Sequence, residues 1–493
     1  MSIIDHLQPS TDLKGREILL VFPGKYKAQN PQIPLSLLHL AAFLLREGYL
    51  VRLLDMRVER YNDSSIKDKL FIGISSMSGQ QIRYGLEFAK RVREVDQSLK
   101  IVWGGVHPTL LPVQTVSNPY VDIVVRGEGE KTIVDLANKI VEGGGLEDVQ
   151  GITFTKGKNV ISNPDRQPID LDDIPIMLPY KLIKEDKYPS LSAGRFHVQT
   201  SRGCPHRCGF CYNSIFNHSR WRSKSTERIL DEFEYISETR PNIQCIDIID
   251  DNFFVSSKRV EEICEGILAR GIDKSWRADC RFDYMSRYND DFLTLLEKSR
   301  CVELNFGAET GSKRLLSLIN KDVTPEMMYD SVEKLKINAP TIEPYVFWMS
   351  GLPTETEDDL KETYTVMEKL STINPKTQHV EICIYTPFPS PMLQEFASQY
   401  NLPKTLEEWG KIDVFHYRPP WHDKKYVNML ESISTVTKFT FYPEARIREL
   451  KQPYRAAYKV MHWLAEKRWK HKYFDLPIDL KLASLATRKL RGY

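Results

Sequence analysis

The sequence is poor in cysteine and has no long apolar run. It contains eight cysteines in 493 residues. No stretch of about eighteen uncharged apolar residues occurs, so no transmembrane helix is predicted. The N-terminus "MSIIDHLQPSTDLKG" does not have the basic start and apolar stretch of a signal peptide. We therefore expect a cytoplasmic protein with reduced thiols, and metal binding, redox chemistry or burial remain as their uses.

Signatures of acid–base hydrolysis are also absent, since no Ser/His/Asp arrangement or pair of catalytic carboxylates stands out. The composition, with 41% hydrophobic and 27% charged residues and a net charge of +2, is typical of a globular protein. Residues 441–493 hold 13 Lys/Arg against 5 Asp/Glu, which we interpret as a solvated helical face and not as a nucleic-acid surface. A chain of this length is too long for one hydrophobic core, so we expect two or three domains.

Residues 1–150 alternate between strand and helix patterns from residue 16 onwards. "REILLVFP" is of strand length, "PLSLLHLAAFLLREG" has helical spacing and a glycine stop, and later segments repeat the alternation. This pattern predicts an open, mainly parallel α/β sheet of the Rossmann type, with its ligand at the carboxyl ends of the strands. The glycines in "FPGK", "WGGVHPT" and "RGEGE" would admit a bulky ligand, or they are ordinary turns.

The remainder of the chain divides into three predicted segments. Residues 151–194 contain a hairpin, "ITFTKGKNVISN", and a Pro/Asp-rich linker. Residues 195–395 carry roughly six strand–helix repeats, which predict a complete or partial TIM barrel with its chemistry at the carboxyl ends of the strands. Residues 396–493 are irregular and then mainly helical, and we expect them to determine substrate specificity.

Three cysteines lie within eight residues in "GCPHRCGFC", directly after the first predicted barrel strand. Cys204, Cys208 and Cys211 have no fourth partner, whereas a structural zinc site is normally closed by four Cys or His ligands. Three thiolates on a four-iron cluster would leave one iron open to a small molecule. The other five cysteines fall singly in apolar segments, where burial explains them.

The CxxxCxxC spacing, with Phe210 before its last cysteine, resembles the radical S-adenosylmethionine (SAM) enzymes. The resemblance implies a [4Fe–4S] cluster held by the three cysteines, with SAM on the open iron and the cofactor supplying the chemistry. Zinc remains the alternative. For the acidic residues among the matching positions, helix capping is a competing role. The positions that match SAM-contacting segments of the family are Phe210, Asp250, Asp251, Asn252, Glu309, Thr310, Met349, Gly351 and Leu352.

The first domain resembles the cobalamin (B12)-binding domain that precedes the barrel in B12-dependent members of this family. One departure is that the first βα loop, "PGKYKAQNPQIP", lacks the histidine that many cobalamin proteins place below cobalt. His39 lies in an apolar helix and is predicted to be structural. The positions that match cobalamin contacts, or are guesses for the group beneath cobalt, are Tyr26, Ser75, Ser76, Met77, Ser78, Gly104, Gly105, Val106, His107, Gly127, Glu128 and Gly129.

The resemblance implies a C-methyltransferase that acts on an unactivated sp3 carbon. One SAM would methylate cobalamin, a second would yield a 5′-deoxyadenosyl radical, and the substrate radical would take the methyl group from methylcobalamin. An oxidative cyclase, or a C-methylase of a tetrapyrrole, lipid or natural product, is the alternative within the family. A corrinoid-responsive binding protein with structural cysteines is the alternative outside it.

The expected partners follow from this resemblance. A protein or peptide substrate is favoured, above all a glutamine of methyl-coenzyme M reductase, with a small molecule as the other option. A low-potential donor such as ferredoxin or flavodoxin and an anaerobic setting are implied. No nucleic acid and no membrane span are expected.

Overall fold

The computed structural model describes residues 14–28, 30–396, 402–413, 417–441, 452, 454–474 and 478–480. The first domain is a sheet of order β2-β1-β3-β4-β5-β6-β7, in which β1 to β5 are parallel. Its strands are β1 (Lys14–Phe22), β2 (Tyr49–Asp55), β3 (Lys69–Ser75), β4 (Ile101–Gly104), β5 (Ile123–Val125), β6 (Ile152–Lys156) and β7 (Asn159–Ser162). Its helices are α1 (Leu35–Arg46), α2 (Gln80–Val95), α3 (Val106–Leu110), α4 (Pro112–Val116) and α5 (Glu130–Glu142).

The centre of this sheet is apolar on both faces. Ile18 to Val21 of β1 are fully buried, as expected for a parallel strand covered by helices on two sides. Because β2 lies on one side of β1 and β3 on the other, the chain reverses its winding direction between β1 and β3. The carboxyl ends of strands at such a reversal form a crevice that binds ligands in open α/β sheets.

The predicted hairpin is part of this sheet and not of the linker. β6 pairs antiparallel with β5, and β7 pairs with β6, so the two strands extend the edge of the first domain. The linker therefore begins after residue 162. Its short helical elements are the 3-10 turns Leu171–Asp173, Tyr180–Leu182 and Glu185–Lys187 and the helix α6 (Pro189–Ser192); a further 3-10 turn, Asp63–Ser65, lies in the first domain.

The second domain is a partial barrel, as predicted. Six parallel strands pair in chain order, β8-β11-β12-β13-β14-β15, and within the described residues the outer strands do not pair with each other. The barrel strands are β8 (Arg195–Val198), β11 (Cys245–Ile248), β12 (Ser275–Cys280), β13 (Cys301–Glu309), β14 (Glu343–Ser350) and β15 (Gln378–Ile384). A separate antiparallel pair, β9 (Ser201–Gly203) and β10 (Trp221–Ser223), follows β8.

Helices cover the outer face of the half-barrel. Several begin at a serine, threonine or asparagine whose side chain accepts a backbone N–H of the first turn, which gives each helix a defined start. The helices of this domain are α7 (Asn213–Phe216), α8 (Thr226–Thr239), α9 (Ser257–Ala269), α10 (Phe282–Met285), α11 (Asp290–Lys298), α12 (Lys313–Leu318), α13 (Pro325–Asn338), α14 (Glu357–Ile373) and α15 (Pro391–Phe396), with a 3-10 turn at Phe253–Val255.

The C-terminal region contacts both domains through α16 (Leu406–Gly410), α17 (Lys424–Thr440) and α18 (Tyr454–Lys470). Leu406 and Trp409 are buried in the core of the first domain, and the Trp409 ring packs edge-on against His107 at 5.3 Å. α17 packs against β15, where Thr437 accepts the Ile382 N–H at 3.2 Å, and so covers the edge strand of the half-barrel.

A third contact fixes the end of β14. Trp421 Nε1 donates to the Gly351 carbonyl at 2.9 Å, and His422 Nε2 donates to the Leu352 carbonyl at 2.8 Å. The amides of Gly351 and Leu352 both donate to the carboxylate of Glu355, which also accepts the Ser350 hydroxyl. The C-terminal region and Glu355 thus together hold a segment that belongs to the barrel.

Trp409 provides the test of docking onto the first domain. Its side chain is 2% exposed, so Trp409→Ala should lower the free energy of unfolding by about 3–5 kcal/mol. Trp463→Ala, at a residue that is 56% exposed on α18, should change it by less than about 0.5 kcal/mol. Urea unfolding followed by circular dichroism measures both, and equal small losses would contradict the docking.

Glu355 provides a test through pH. Burial raises the pKa of its carboxyl from 4.5 to about 7. Between these values the folded chain keeps a proton that the unfolded chain has lost, so this group makes stability fall as the pH rises from 4.5 to 7. Glu355→Gln should remove that fall, and Glu357→Gln, at the exposed start of α14, should not. Thermal unfolding measured between pH 5 and 7.5 tests this prediction. If stability depends on pH in the same way in the wild type and in Glu355→Gln, the raised pKa of Glu355 is refuted.

Candidate active site

A cavity of about 470 Å³ lies where the carboxyl ends of both sheets approach each other. Its volume falls in the range of roughly 300–1,000 Å³ that ligand sites occupy. Most of its wall comes from the first domain, from the ends of β1, β3, β4 and β5 and the start of α1. Of the residues predicted to contact cobalamin, those that line it are Ser75, Ser76, Met77, Gly104, Gly105, Val106, Gly127, Glu128 and Gly129.

Gly105 shows why this wall requires glycine. Its φ of +96° is disfavoured for other residues, and an added Cβ would lie 2.8 Å from the Ser76 carbonyl oxygen. The same carbonyl accepts the His107 N–H, and the Ser76 N–H donates to Gly104. The ends of β3 and β4 are therefore in close contact at this point and leave the adjacent space to a ligand.

Three predicted contacts lie outside the cavity lining. The Tyr26 ring is partly exposed under the guanidinium of Arg60. His107 is fully buried, and its Nδ1 is 2.8 Å from the Ser78 hydroxyl. Burial lowers the pKa of His107 to about 3, so the ring is neutral. Ser78 and His107 therefore connect the loop after β3 to Trp409 and do not face the cavity.

His39, which we predicted to be structural, lines the cavity beside Arg202 of the barrel domain. Arg202 donates to Glu130 at 2.6 Å and lies 3.1 Å from His39 Nδ1. Burial, with a contribution from Arg202, lowers the pKa of His39 to about 3. The cavity therefore has one polar corner, to which both domains contribute.

The barrel domain supplies the opposite wall. Tyr212, which directly follows Cys211, lines the cavity together with Asn217 and Asp251. The accessible surface of the Asp251 side chain faces this interior cavity. Because the carboxyl lies deep inside the protein, burial raises its pKa. Its Oδ2 accepts the Gly203 N–H at 2.9 Å, so it also holds the chain ahead of the cysteines.

Asp250 has a different position from its neighbour. It is 2% exposed, and its carboxylate accepts the Thr200 N–H and the hydroxyls of Thr200 and Ser201 at 2.5–2.6 Å. These contacts fix the start of the cysteine loop. Asp250 does not line the cavity, so its position supports a role in holding the loop.

Each of the three thiols has an N–H donor nearby. Asn252 Nδ2 lies 3.7 Å from Cys204 Sγ, Arg281 Nη1 lies 3.5 Å from Cys208 Sγ, and the Asn213 N–H lies 3.5 Å from Cys211 Sγ. Donors placed in this way suit anionic sulfur.

Burial and mutual repulsion oppose ionisation of Cys204 and Cys211. Burial raises the pKa of Cys204, and it raises that of Cys211 to about 12, with Cys208 adding to both shifts. A cationic centre offsets this cost when it binds thiolates. Within the described residues, no three Cys, His, Asp or Glu side chains are placed to hold a single metal ion.

The cysteine loop is docked on the barrel through its backbone. The Gly209 N–H donates to the Ile319 carbonyl at 2.7 Å, and the Gly209 carbonyl accepts the Met392 N–H at 2.9 Å. Phe210 packs against a small apolar cluster that includes Met349 and Leu352. Three predicted SAM-contacting positions, Phe210, Met349 and Leu352, therefore lie together.

Glu309 and Thr310 follow each other but differ in environment. Glu309 has a φ of +64°, uncommon for a residue with a side chain, and its carboxylate pairs with the buried Lys321 ammonium. Such backbone strain is typical of functional sites. Thr310 is buried and lies 3.1 Å from the Thr363 hydroxyl of α14, so it is engaged with the outer helix layer.

The inner face of the half-barrel carries polar side chains that we did not predict. Arg277 pairs with Asp247 and Glu303 on the adjacent strands, in register. Asp279 lies two residues after Arg277 on β12. Its carboxylate accepts an N–H of the Asn305 side-chain amide at 2.9 Å, and burial raises the pKa of Asp279 to about 6. Alternation along the strand puts Asp279 and Arg281, the donor to Cys208, on one side of the chain.

Sequence reasoning did not predict that His39 lines the cavity, and it missed Arg202, Asp279 and Trp421. Arg202 could have been found, because it immediately precedes the Gly-Cys pair of the cysteine loop. The others depend on contacts between distant segments.

Comparisons with known proteins agree with this architecture. Residues 26–137 match the B12 binding domain, and residues 198–367 match the radical SAM superfamily. An uncharacterised methyltransferase of Pyrococcus horikoshii is 30% identical over 413 residues, which cover 81% of this chain and 86% of that protein. An anaerobic magnesium-protoporphyrin IX monomethyl ester cyclase of Rubrivivax gelatinosus is 26% identical, over 75% of this chain and 67% of that protein.

Two solved structures share the fold. TsrM from Kitasatospora setae, a radical SAM methyltransferase with tryptophan and a SAM analogue bound, has a TM-score of 0.64 at 19% identity, over 78% of this chain and 76% of that one. OxsB, with aqua-cobalamin and SAM bound, has a TM-score of 0.69 at 20% identity, over 93% of this chain and 71% of that one.

None of the helices in the described part of the chain is long and apolar enough to cross a membrane. The two matched domains, the cysteine loop and the extent of the Pyrococcus similarity together show that this chain is an enzyme of the radical SAM superfamily, in the group that carries a B12-binding domain and whose cofactors are a [4Fe–4S] cluster, SAM and cobalamin.

Proposed function

We propose that this chain is a C-methyltransferase that transfers a methyl group to an unactivated sp3 carbon. Cys204, Cys208 and Cys211 would hold the cluster, and the cavity would hold cobalamin. The supporting observation is that one cavity is lined by the strand ends of the B12-binding domain and by Tyr212, the residue next to Cys211. Both cofactor sites would then border the same space.

When bound, the cofactors supply a transferable methyl group and a hydrogen-abstracting radical. The chain positions them and keeps water out. Glycines at the ends of β4 and β5 would admit a flat ligand, with Gly104 and Gly105 at its nucleotide tail. Phe210, Met349 and Leu352 would border SAM on its apolar side, and Glu309 and Asp251 would offer carboxylates to its polar groups.

The substrate would enter the half-barrel from its carboxyl end. There Asp279 and Asn305 present a carboxylate and an amide, and the nearby Phe347 is 41% exposed. Because a strand rises about 3.3 Å per residue, Asp279 lies about 7 Å along the chain from Arg281, the donor to Cys208. A substrate held by this pair would lie near the cluster.

For the identity of the substrate we propose a protein or peptide residue, namely a glutamine of methyl-coenzyme M reductase. The positive charge of residues 441–493, much of which lies outside the described residues, supports an acidic or protein-sized partner. Ferredoxin or flavodoxin is the proposed electron donor, and the cytoplasm is the proposed location.

A second candidate is favoured by the similar proteins themselves. Three cyclases of magnesium-protoporphyrin IX monomethyl ester, a hopanoid C-3 methylase and a bacteriochlorophyllide methyltransferase are 22–27% identical to this chain. They support a tetrapyrrole or lipid substrate. Within this second candidate, product mass separates methylation from oxidative cyclisation, because only methylation adds one methyl group.

The methyl transfer can be tested directly. The protein is reconstituted anaerobically with iron, sulfide and cobalamin, and receives SAM, a reductant and a glutamine-containing peptide of methyl-coenzyme M reductase. We expect 5′-deoxyadenosine and a peptide heavier by one methyl group. 5′-Deoxyadenosine with an unchanged peptide, but with methylation or cyclisation of a porphyrin ester offered in parallel, would favour the second candidate. No 5′-deoxyadenosine from loaded protein would refute the proposed function.

The cluster ligands can be tested without turnover. Cys204→Ala should lose most of the bound iron and sulfide and the visible absorption of the cluster, because two thiolates do not suffice to hold it. Cys245→Ala, at an isolated thiol in β11, should keep wild-type iron content. Iron and sulfide assays after anaerobic reconstitution decide, and equal content in both variants would exclude Cys204 as a ligand.

A further inference from the structure

The polar corner of the cavity connects the two domains. We propose that His39, Glu130 and Arg202 link cobalamin binding in the cavity to the position of the cysteine loop, with Arg202 as the positioning residue. This inference rests on the proposed function, in that cobalamin must occupy the cavity.

Arg202 reaches from the barrel domain into the B12-binding domain. Its guanidinium donates to Glu130 Oε1 at 2.6 Å, lies 3.4 Å from Glu128, and contacts His39 at 3.1 Å. The exposed fraction of the side chain is 12% for Arg202 and 5% for Glu130. A planar guanidinium held by several acceptors has a fixed orientation, so any movement of its partners is transmitted to the arginine.

The corner also offers an unused acceptor. Glu130 Oε2 is buried and has no hydrogen-bond partner among the described residues, and Glu130 lines the cavity. A buried carboxylate oxygen without a donor is costly. Oε2 does not face the cavity in the present rotamer of Glu130. Cobalamin carries primary amides around its ring, and rotation of the Glu130 carboxylate would bring Oε2 to such an amide N–H. Glu130 would then adjust, and with it the guanidinium that it accepts.

The backbone of Arg202 leads directly to the cluster ligands. It is the central residue of β9, between Ser201, which is bound to Asp250, and Gly203, which is bound to Asp251. Gly203 has a φ of +86°, and an added Cβ would overlap the Arg220 carbonyl oxygen. The backbone of β9 is therefore closely packed, and Cys204 is the next residue in the chain. A displacement at Arg202 would reach the first thiol.

The test is a binding cycle on the full-length, cluster-loaded protein without reductant, so that no turnover occurs. The dissociation constant of SAM is measured by equilibrium dialysis with and without saturating hydroxocobalamin, and that of hydroxocobalamin with and without SAM. Linkage requires both ratios to be equal, and couplings between sites are typically 5–150-fold. We expect about a tenfold ratio in the wild type.

Arg202→Lys keeps the positive charge but loses the planar guanidinium with its several donors. This variant should reduce the ratio to below about twofold. Glu130→Gln, a change in the other domain, should also reduce the ratio to below about twofold. It serves as the test variant if Arg202→Lys fails to hold its cluster. Arg222→Lys is the matched control, because Arg222 also pairs with Glu128 but does not line the cavity. The ratio is independent of the absolute affinities, so general destabilisation does not mimic its loss.

A wild-type ratio near one, an undiminished ratio in Arg202→Lys with intact cluster, or an equal loss in Arg222→Lys would overturn the inference. Failure of the wild type to bind hydroxocobalamin would refute the proposed function and the inference with it. Binding without coupling refutes only the inference.

Discussion

The buried carboxylate of Asp250 fixes the place where the first barrel strand becomes the cysteine loop. An ionised carboxylate out of water costs several kcal/mol unless it is fully hydrogen-bonded, and here three donors from Thr200 and Ser201 satisfy it. Arg259 stands behind it at 4.0 Å. The conformation of residues 200 and 201 therefore has little freedom. The direction of β9, the reach of Arg202 and the position of Cys204 all depend on it.

The carboxyl ends of the strands of the two sheets face each other. In each parallel sheet the carboxyl ends of the strands are the places where side chains and loops can meet a ligand. Here Ser75 and Gly104 end strands of the first sheet, Gln199 and Ile249 follow strands of the second, and all four line one cavity. The two folds thus share a single interior space.

The sequence predicted most of this arrangement where local pattern and site coincide. The strand–helix alternation and the partial barrel are properties of short segments, and they were confirmed. The glycines at the strand ends line the cavity, and their role beside a ligand stays a prediction. The hairpin of β6 and β7 was assigned to the linker, because its pairing with β5 depends on a register that no local pattern encodes. Trp409 and Trp421 were not predicted for the same reason, since each contacts a partner that lies at least 70 residues away in the sequence.

The fold constrains the backbone of the cysteine loop more than it stabilises the negative charge of its sulfur atoms. Its backbone is held by Gly209 to two neighbouring segments, and its entry is held by Asp250 and Asp251. The sulfurs, in contrast, receive long N–H contacts of 3.5–3.7 Å, and burial disfavours ionisation of Cys204 and Cys211. The fold therefore fixes where the thiols are but leaves their charge to be balanced by a bound metal centre. Because only three thiols are present in the loop, a four-iron cluster bound there would keep one iron free for a ligand from the adjoining space.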